Sequence, residues 1–203
     1  MMKLYYAPGT ISLASHLALE CTGADYETSL IDLSGEQHSA RFKALNPLGR
    51  VPALEVDGVV ITETPAILSY IAQRYPDAEL LGQGDILGLA RANSFNSFLS
   101  STVHVAHAHI WRPERWSDDE HAQQSMKLKG PENMQHCFEL IERHWLQNQW
   151  VLGDQFSVCD LYLFAIPRWL AGDGVEVAQF KKVAAHFTTV ANMAPVSRIL
   201  AQY

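Results

Sequence analysis

A valine–proline pair at the start of a predicted strand, within the segment from Asn46 to Leu54, is the first sign of a binding site. Proline donates no hydrogen bond to a β-ladder, so it is unusual at the opening of a central strand. A cis bond between Val51 and Pro52 accommodates it and turns the N–H and C=O of Val51 into a cleft. These two groups can pair, as a neighbouring strand would, with the backbone of a peptide-like ligand.

An acid and a hydroxyl follow nine residues after this segment, where a second strand gives way to a helix. Glu63 and Thr64 can hold the charged end of the same ligand, because a helix N-terminus adds backbone N–H donors beside them. The alternative is that the two residues only cap the helix. We therefore expect the ligand site in the first third of the chain.

The elements that must position these residues alternate between strands and helices. Strands are predicted at residues 3–7, 26–33, 53–56 and 59–62, and helices at 12–22, 39–45 and 64–75. Asp57-Gly58, between the last two strands, is a strong signal for a tight hairpin. The order β-α-β-α-β-β-α is that of an α/β thioredoxin-like domain, which we place at residues 1–80.

The sequence changes in character at residues 82–84 (Gly-Gln-Gly), after which no strand pattern appears. One long helix is predicted from residue 85 to about residue 110, with several shorter helices behind it. Residues 86–203 are therefore predicted to form an all-α C-terminal domain.

Two capping boxes predict where later helices begin: Ser117-Asp-Asp-Glu120 and Ser157-Val-Cys-Asp160. Gly130-Pro131 should break the first of these helices, which then resumes to about residue 147. Pro167 should produce a kink in the second.

Composition limits the partners and the location of the protein. The 203 residues carry a net charge of −7 without a basic run, which argues against nucleic acid and anionic membranes as partners. The cysteines (Cys21, Cys137 and Cys159) form no CxxC pair, which suits a reducing compartment. We find no apolar run long enough to span a bilayer and no signal-peptide core at the N-terminus, so we expect a cytoplasmic protein.

Six motifs, in order and at their observed spacings, give the chain a family resemblance. They are Lys-Leu-Tyr-Tyr-Ala-Pro-Gly at 3–9, Ser-Leu-Ala-Ser-His at 12–16, Asn-Pro-Leu-Gly-Arg-Val-Pro-Ala-Leu at 46–54, Thr-Glu-Thr-Pro-Ala-Ile-Leu at 62–68, Val-His at 103–104 before Arg-Pro at 112–113, and Leu-Gly-Asp-Gln-Phe-Ser-Val-Cys-Asp at 152–160. Over nearly its whole length the chain resembles the soluble glutathione S-transferases, most of all the bacterial beta class. The resemblance implies a homodimeric detoxification enzyme that conjugates glutathione, its co-substrate, to a small hydrophobic electrophile held by the helical domain.

One departure from the family concerns the reacting thiol. Isoleucine stands at position 11, where the beta class has a cysteine, so cysteine-dependent chemistry is not expected. Glutathione reacts as the thiolate, which needs hydrogen-bond donors and positive potential near its sulfur. The start of the helix at Ser12 supplies both, with the Ser12 hydroxyl as first choice of donor, Thr10 as second and Tyr6 as third. The alternatives are that Ser12 only caps the helix and that Thr10 and Tyr6 are structural.

The resemblance also assigns contacts for glutathione. Val51, beside Pro52, would bind the cysteinyl backbone, Glu63 the γ-glutamyl ammonium group and Thr64 the neighbouring α-carboxylate. His38 resembles a histidine that related classes place near the glycyl carboxylate, and Arg50 could serve the same group. A solvated loop residue is the alternative for both.

His104 matches a histidine that the beta class presents to the glutathione sulfur, although Val105 follows it where many relatives have lysine. The nearby His107 and His109 suggest a metal site. His109 faces elsewhere on the helix, and no carboxylate or cysteine lies at matching spacing, so we reject that interpretation. Trp111 and Trp116 are expected to line an apolar electrophile pocket.

Other functions on the same fold remain open. A glutathione-dependent isomerase or dehalogenase would use the same site with another pocket. Ile11 and Val105 favour a non-catalytic binder of glutathione or of an apolar ligand. A glutathione-disulfide reductase is the least expected, because no cysteine lies at the helix start. The sequence does not identify the electrophile.

Overall fold

Four strands form a mixed sheet in the first domain of the computed structural model, which describes residues 1–81 and 85–203. The elements are β1 Met2–Tyr6, α1 Ser12–Thr22, β2 Tyr26–Leu30, α2 Ala40–Leu45, β3 Ala53–Val56, β4 Val59–Thr62 and α3 Thr64–Arg74. The strand order is β2-β1-β3-β4, with β1 and β2 parallel and the other pairs antiparallel. The predicted element order and fold class are confirmed.

Alternation along β1 explains how the sheet is covered on both faces. Leu4 is fully buried in the cluster that includes α1 and α3, whereas Tyr5 points the other way and packs against Phe42 of α2. Side chains on neighbouring strand positions face opposite sides of a sheet, so one short strand serves two cores. The end of β1 pairs with the start of β3, and the loop after β1 leads directly into α1.

The second domain consists of helices in the part of the chain that the structure describes. They are α4 Ile86–Phe98, α5 His104–Trp111, α6 Glu120–Leu140, α7 Val158–Ala165, α8 Lys181–Ala191 and α9 Ala194–Leu200. A π-helical turn, Leu99–Val103, joins α4 to α5, so the predicted long helix is one helical segment with a local change of register. The predicted linker at residues 82–84 lies outside the described residues, and the exact domain boundary stays a prediction.

Helix α6 differs from its prediction at both the start and the middle. Asp119 caps it, accepting from the His121 and Ala122 N–H groups, whereas Ser117 accepts a hydrogen bond from the Asp119 N–H. The helix also continues through Pro131. Proline leaves the carbonyl of Lys127 without its helical donor, but Lys127 is exposed, so water can hydrate that carbonyl.

Helix α7 begins at the predicted capping box and is anchored by a fully buried carboxylate. Asp160 accepts hydrogen bonds from the Ser157 N–H and hydroxyl and from the Val151 N–H, each at 2.9 Å. It also lies 2.9 Å from His186 Nε2. Pro167 ends the helix and starts a 3₁₀ turn, Pro167–Trp169, so the expected kink within a continuing helix is wrong.

The two domains share one hydrophobic core along α1, which packs against α7 and α9. The Val158 N–H donates to the Leu80 carbonyl at 2.9 Å, and the Trp169 indole N–H donates to the Gly9 carbonyl at 3.1 Å. The second bond fixes the end of α7 over the start of α1. Among the described helices, none combines the length and apolar character needed to cross a bilayer.

Candidate active site

A cleft between the sheet domain and α5 brings many of the predicted residues together. Its larger part has a volume of about 730 Å³, and a smaller part of about 150 Å³ continues toward the start of α3. Both parts are lined by Ile11, Arg50, Val51, His104, Ala108 and Arg115. The loops before α1 and β3 form one wall, and α5 with the turn after it forms the opposite wall.

The loop before β3 has the predicted arrangement, with a cis bond between Val51 and Pro52. Buried Asn46 holds this loop, because its side chain donates to the Arg50 carbonyl at 2.7 Å and accepts from the Leu48 N–H at 3.1 Å. Within residues 1–81 and 85–203, we find no hydrogen bond to the Val51 N–H or C=O. Both groups are therefore available to a strand-like ligand.

Glu63 follows β4 in a backbone conformation that residues other than glycine rarely adopt. Its φ is +69°, and such conformations cost on the order of 1–3 kcal/mol, persisting mainly where the surrounding structure fixes them. Exposed Glu63 and buried Thr64 both line the smaller part of the cleft. In the described chain, the Thr64 and Ala66 N–H groups at the start of α3 have no partner, so an anion can bind there.

Gly49 holds the loop that contains His38 against the loop before β3. Its φ is +61°, and a Cβ at this position would lie 2.6 Å from the Gln37 carbonyl oxygen, so a larger residue would push the loops apart. His38 and Arg50, both exposed, consequently lie on the same wall of the larger part. Their predicted role near a carboxylate is compatible with this placement and stays a prediction.

The Ser12 hydroxyl does not reach the cleft. It is fully buried, accepts from the Ala7 N–H at 3.1 Å, and lies 3.1 Å from the Ala7 carbonyl oxygen and 2.7 Å from Thr10 Oγ1. Thr10 Oγ1 is itself 2.7 Å from the same carbonyl, although Thr10 lines the larger part of the cleft. The two hydroxyl protons are used within this cluster, so a ligand would have to break a bond to receive either one.

Tyr6 also lies away from both parts of the cleft. Its ring packs against His16 and Tyr203, with centroids 5.2 and 5.6 Å apart. The alternation of β1 explains this placement, because Tyr6 shares the α1 side of the sheet with Leu4. Sequence reasoning recognised the hydroxyls but had no means of predicting their directions.

The start of α1 presents backbone rather than a side-chain donor. Ile11 occupies the N-cap position with φ −67°, and it lines both parts of the cleft. No hydrogen bond to the Ile11 N–H is found in the described residues. A free N–H at the positive end of a helix can stabilise an anion.

His104, the first residue of α5, lines both parts of the cleft, as its predicted role requires. Burial, with smaller effects from His107, Arg115 and Arg50, lowers the pKa of His104 from 6.5 to about 4. The imidazole is therefore neutral near pH 7. It can form hydrogen bonds to a ligand but contributes no positive charge.

Four arginines give the larger part of the cleft an excess of positive charge, and of these the sequence predicted only Arg50. Arg50, Arg112, Arg115 and Arg168 line it, and the carboxylate there is Glu114. None of these arginines forms an ion pair within the described residues. Partial burial, together with the charges of Arg50 and Arg112, lowers the pKa of Arg115. The cleft is therefore suited to an anionic ligand.

His107 and Asp173 form a second group that sequence reasoning missed. His107 Nδ1 lies 2.9 Å from both carboxylate oxygens of Asp173, and the Trp111 indole N–H donates to the same carboxylate at 2.8 Å. The His107 ring stacks on Trp169, with centroids 4.3 Å apart. The side chains of His107, Trp111 and Trp169 line the larger part of the cleft.

The sequence signal for this group was weak. Asp173 lies between Gly172 and Gly174, a context that indicates only a turn, and 66 residues separate it from His107. Trp111 and Trp116 lie in the cleft walls, where the sequence predicted them. Among the described residues, we find no group of three side chains suited to a metal ion.

Comparison with protein families matches both halves of the chain. Residues 1–73 match the glutathione S-transferase N-terminal domain and residues 102–194 the glutathione S-transferase C-terminal domain. A maleylacetoacetate isomerase of Pseudomonas aeruginosa is 33% identical over 185 residues, which cover 87% of this chain and 84% of the relative.

Two solved structures share the entire architecture. A Sulfitobacter glutathione transferase homologue with bound glutathione is 37% identical, with a TM-score of 0.95 over 100% of this chain and 98% of that one. A bacterial beta class glutathione S-transferase from Sphingomonas chungbukensis is 33% identical, with a TM-score of 0.86 over 98% of each chain.

Proposed function

The chain belongs to the glutathione S-transferase family, and we propose that it conjugates its co-substrate glutathione to a small hydrophobic electrophile. One observation carries this proposal: a single cleft contains a free strand-like backbone at Val51, the acid Glu63 and the starts of α1 and α3. This set of groups matches a short peptide that has an ammonium group, two carboxylates and a thiol.

In the proposed complex, glutathione extends along the first-domain wall. Its cysteinyl backbone pairs with Val51, while Glu63 binds the γ-glutamyl ammonium group. Thr64 and the free N–H groups at the start of α3 bind the neighbouring carboxylate. The glycyl carboxylate lies near Arg50, with His38 on the same wall, and arginine pairs well with carboxylates.

The thiolate is stabilised by backbone and by charge in this proposal. The Ser12 and Tyr6 side chains lie away from the cleft, so the Ile11 N–H at the positive end of α1 replaces them as the donor. Arg50 and Arg115 add positive potential, and neutral His104 offers a further hydrogen bond. These contributions lower the pKa of the bound thiol, because each favours its charged form.

The electrophile occupies the helical side of the larger part, next to the rings of Trp111 and Trp169. Aromatic walls favour apolar, planar compounds, which fits a role in detoxification. Burial raises the pKa of all three cysteine thiols, so the protein itself offers no ready thiolate, and a disulfide reductase is not supported. The same unpaired thiols suit a cytoplasmic location.

A homodimer, with the first domain of one subunit facing the helical domain of the other, is also proposed. Exposed apolar side chains on both domains support it: Val59 on the edge strand β4, and Ile86 and Leu87 at the start of α4. Light scattering at micromolar concentration should give twice the mass of the chain. A monomer mass would contradict the assembly without affecting the proposed chemistry.

Isomerisation is the second candidate, because the isomerase relative aligns with 87% of the chain. An isomerase would add the thiolate to a cis double bond and eliminate it again, so no thioether would accumulate. A non-catalytic binder would hold glutathione without turnover.

Calorimetry with glutathione and turnover assays with chlorodinitrobenzene test these functions together. The transferase should bind glutathione and form the thioether. Binding without any turnover would favour a binder, and glutathione-dependent conversion of a cis-enone without thioether would favour an isomerase. Absence of binding would overturn all three.

A further inference from the structure

We propose that His107, held by Asp173, donates a proton to electrophiles that develop negative charge on oxygen when the thiolate attacks. Epoxides are the substrate class to which this points. The inference rests on the proposed transferase function and assigns a reacting group to the helical wall of the cleft.

A buried carboxylate holds His107 from one side. Asp173 is 1% exposed, and its carboxylate accepts hydrogen bonds from His107 and Trp111. Among the described residues, His107 is the one basic side chain within ion-pair distance of Asp173. A buried carboxylate needs its hydrogen bonds, so this contact holds Nδ1 of His107 toward Asp173 and sets the orientation of the imidazole ring.

The other ring nitrogen of His107, Nε2, is directed away from Asp173. Asp173 occupies Nδ1, which leaves Nε2 on the opposite edge of the ring. The His107 side chain is 18% exposed and lines the larger part of the cleft. Nε2 has no hydrogen-bond partner in the described chain and is not among its buried unpaired atoms. Nε2 therefore faces the space that the electrophile would occupy, and in the protonated form of His107 it carries the proton that is transferred.

Two contacts of Trp169 fix the position of the His107 ring. His107 stacks on Trp169, and the Trp169 indole N–H bonds to the Gly9 carbonyl, two residues before Ile11. The proposed proton donor is thereby tied to the helix start where the thiolate lies. An electrophile between them would meet the thiolate on one side and the imidazolium on the other.

The charged groups around His107 come from every wall of the cleft. Besides Asp173 and His104, the charged or titratable side chains of the larger part are Arg50, Arg112, Arg115, Arg168, His38 and Glu114. Asp173 is buried, and both of its carboxylate oxygens lie 2.9 Å from His107 Nδ1. Asp173 is accordingly a positioning residue and His107 the group that meets the substrate.

The proposed step balances without a further reactant. The glutathione sulfur forms a bond to one epoxide carbon, and the carbon–oxygen bond breaks with its electron pair remaining on oxygen. The Nε2 proton moves to that oxygen and gives an alcohol. Neutral His107 keeps its Nδ1 proton toward Asp173 and regains the Nε2 proton from water. An aryl halide releases a halide ion and has no use for this proton.

The test compares an aryl epoxide with chlorodinitrobenzene in the wild type and in His107→Phe, which retains a ring to stack on Trp169. The epoxide-to-halide ratio of kcat/KM should fall about 100-fold, the size expected for loss of a general acid. Equal losses with both substrates, or no epoxide turnover by the wild type, would overturn the inference. Absence of halide turnover and of glutathione binding by the wild type would instead overturn the proposed function.

A second variant keeps the proposal testable if His107→Phe does not fold. Asp173→Asn preserves an acceptor for Nδ1 but removes the carboxylate charge, so the pH profile of epoxide turnover should change while that of chlorodinitrobenzene turnover stays as in the wild type. The epoxide-to-halide ratio of kcat/KM should also fall. An unchanged ratio together with an unchanged pH profile would contradict the positioning role of Asp173.

Discussion

Two buried aspartate–histidine pairs occur in the helical domain, and they differ in what surrounds them. Asp160 and His186 lie inside the core, 0% and 2% exposed at their side chains, whereas Asp173 pairs with His107 at the edge of the cleft. Both pairs have 2.9 Å contacts. The contact distance therefore does not distinguish a structural pair from one that can take part in chemistry.

The remaining hydrogen bonds make the distinction. Asp160 receives three further bonds from Ser157 and Val151, so its carboxylate is fully used in holding the core together. Asp173 receives one further bond, from Trp111, and its histidine keeps a nitrogen toward the cleft. The same contrast holds at the start of α1, where two hydroxyls bond to each other while the Ile11 N–H has no partner in the described chain.

The largest expected effect separates the two pairs by stability. Asp160→Ala removes a buried carboxylate from four donors and should lower the free energy of unfolding by about 3–5 kcal/mol, measured by urea denaturation. Asp173→Ala is the matched control and should cost clearly less, because water from the cleft can reach the groups left behind. Similar losses of unfolding free energy for both variants would show that the two aspartate–histidine pairs do not differ in this way.

A proline substitution tests the backbone donor at the start of α1. The φ of Ile11, −67°, suits proline, so Ile11→Pro removes the N–H while fitting the residue's own φ. It should raise the pKa of bound glutathione and lower kcat/KM by about 10²–10³, as for loss of one anion-stabilising donor. Ile11→Ala keeps the N–H, so the thiol of glutathione bound to this variant should titrate as in the wild type. Thiolate absorbance measures this titration.

The hydrogen-bonded hydroxyls of Ser12 and Thr10 provide a further control for the Ile11→Pro experiment. Ser12→Ala should lower stability, because the Ala7 N–H loses its acceptor, with little change in the thiol titration. A thiol pKa that responds to Ser12→Ala and not to Ile11→Pro would return the donor role to the serine.

His104 should make folding stability depend on pH. Its pKa is about 4 in the folded protein and 6.5 in the unfolded chain, so the unfolded state binds more protons between these values. The free energy of unfolding should fall by on the order of 2–3 kcal/mol as the pH decreases from about 6.5 to 4. The free energy of unfolding of His104→Asn should lack this decrease at low pH. An identical pH dependence in the variant and the wild type would contradict the lowered pKa of His104.

The smallest expected effect distinguishes binding from backbone strain at Glu63. Glu63→Ala and Glu63→Gly should both weaken glutathione binding at least tenfold, about 1.4 kcal/mol, by calorimetry. Glycine tolerates φ +69° whereas alanine does not, so the glycine variant should be the more stable by about 1 kcal/mol. Unchanged affinity in both variants would remove Glu63 from the site.

The first-domain wall of the cleft was largely predictable from local sequence. The strands β3 and β4, the cis bond at Pro52, and the strand-to-helix junction at Glu63 and Thr64 each depend on a few neighbouring residues. Turn geometry, proline chemistry and helix starts are short-range effects, so short motifs determine them. The capping box of α7 was predictable for the same reason.

The tertiary structure alone decided which polar groups face the cleft. The directions of the Ser12 and Thr10 hydroxyls, the pairing of His107 with Asp173 across 66 residues, and the bond from Trp169 to Gly9 across 160 residues have no local signal. Such contacts form because α1, α5 and α7 pack around one core, and packing depends on the whole chain. The sequence by itself therefore determined the family, the elements and the loop with the cis bond before Pro52, while the folded arrangement determined which polar groups face the cleft.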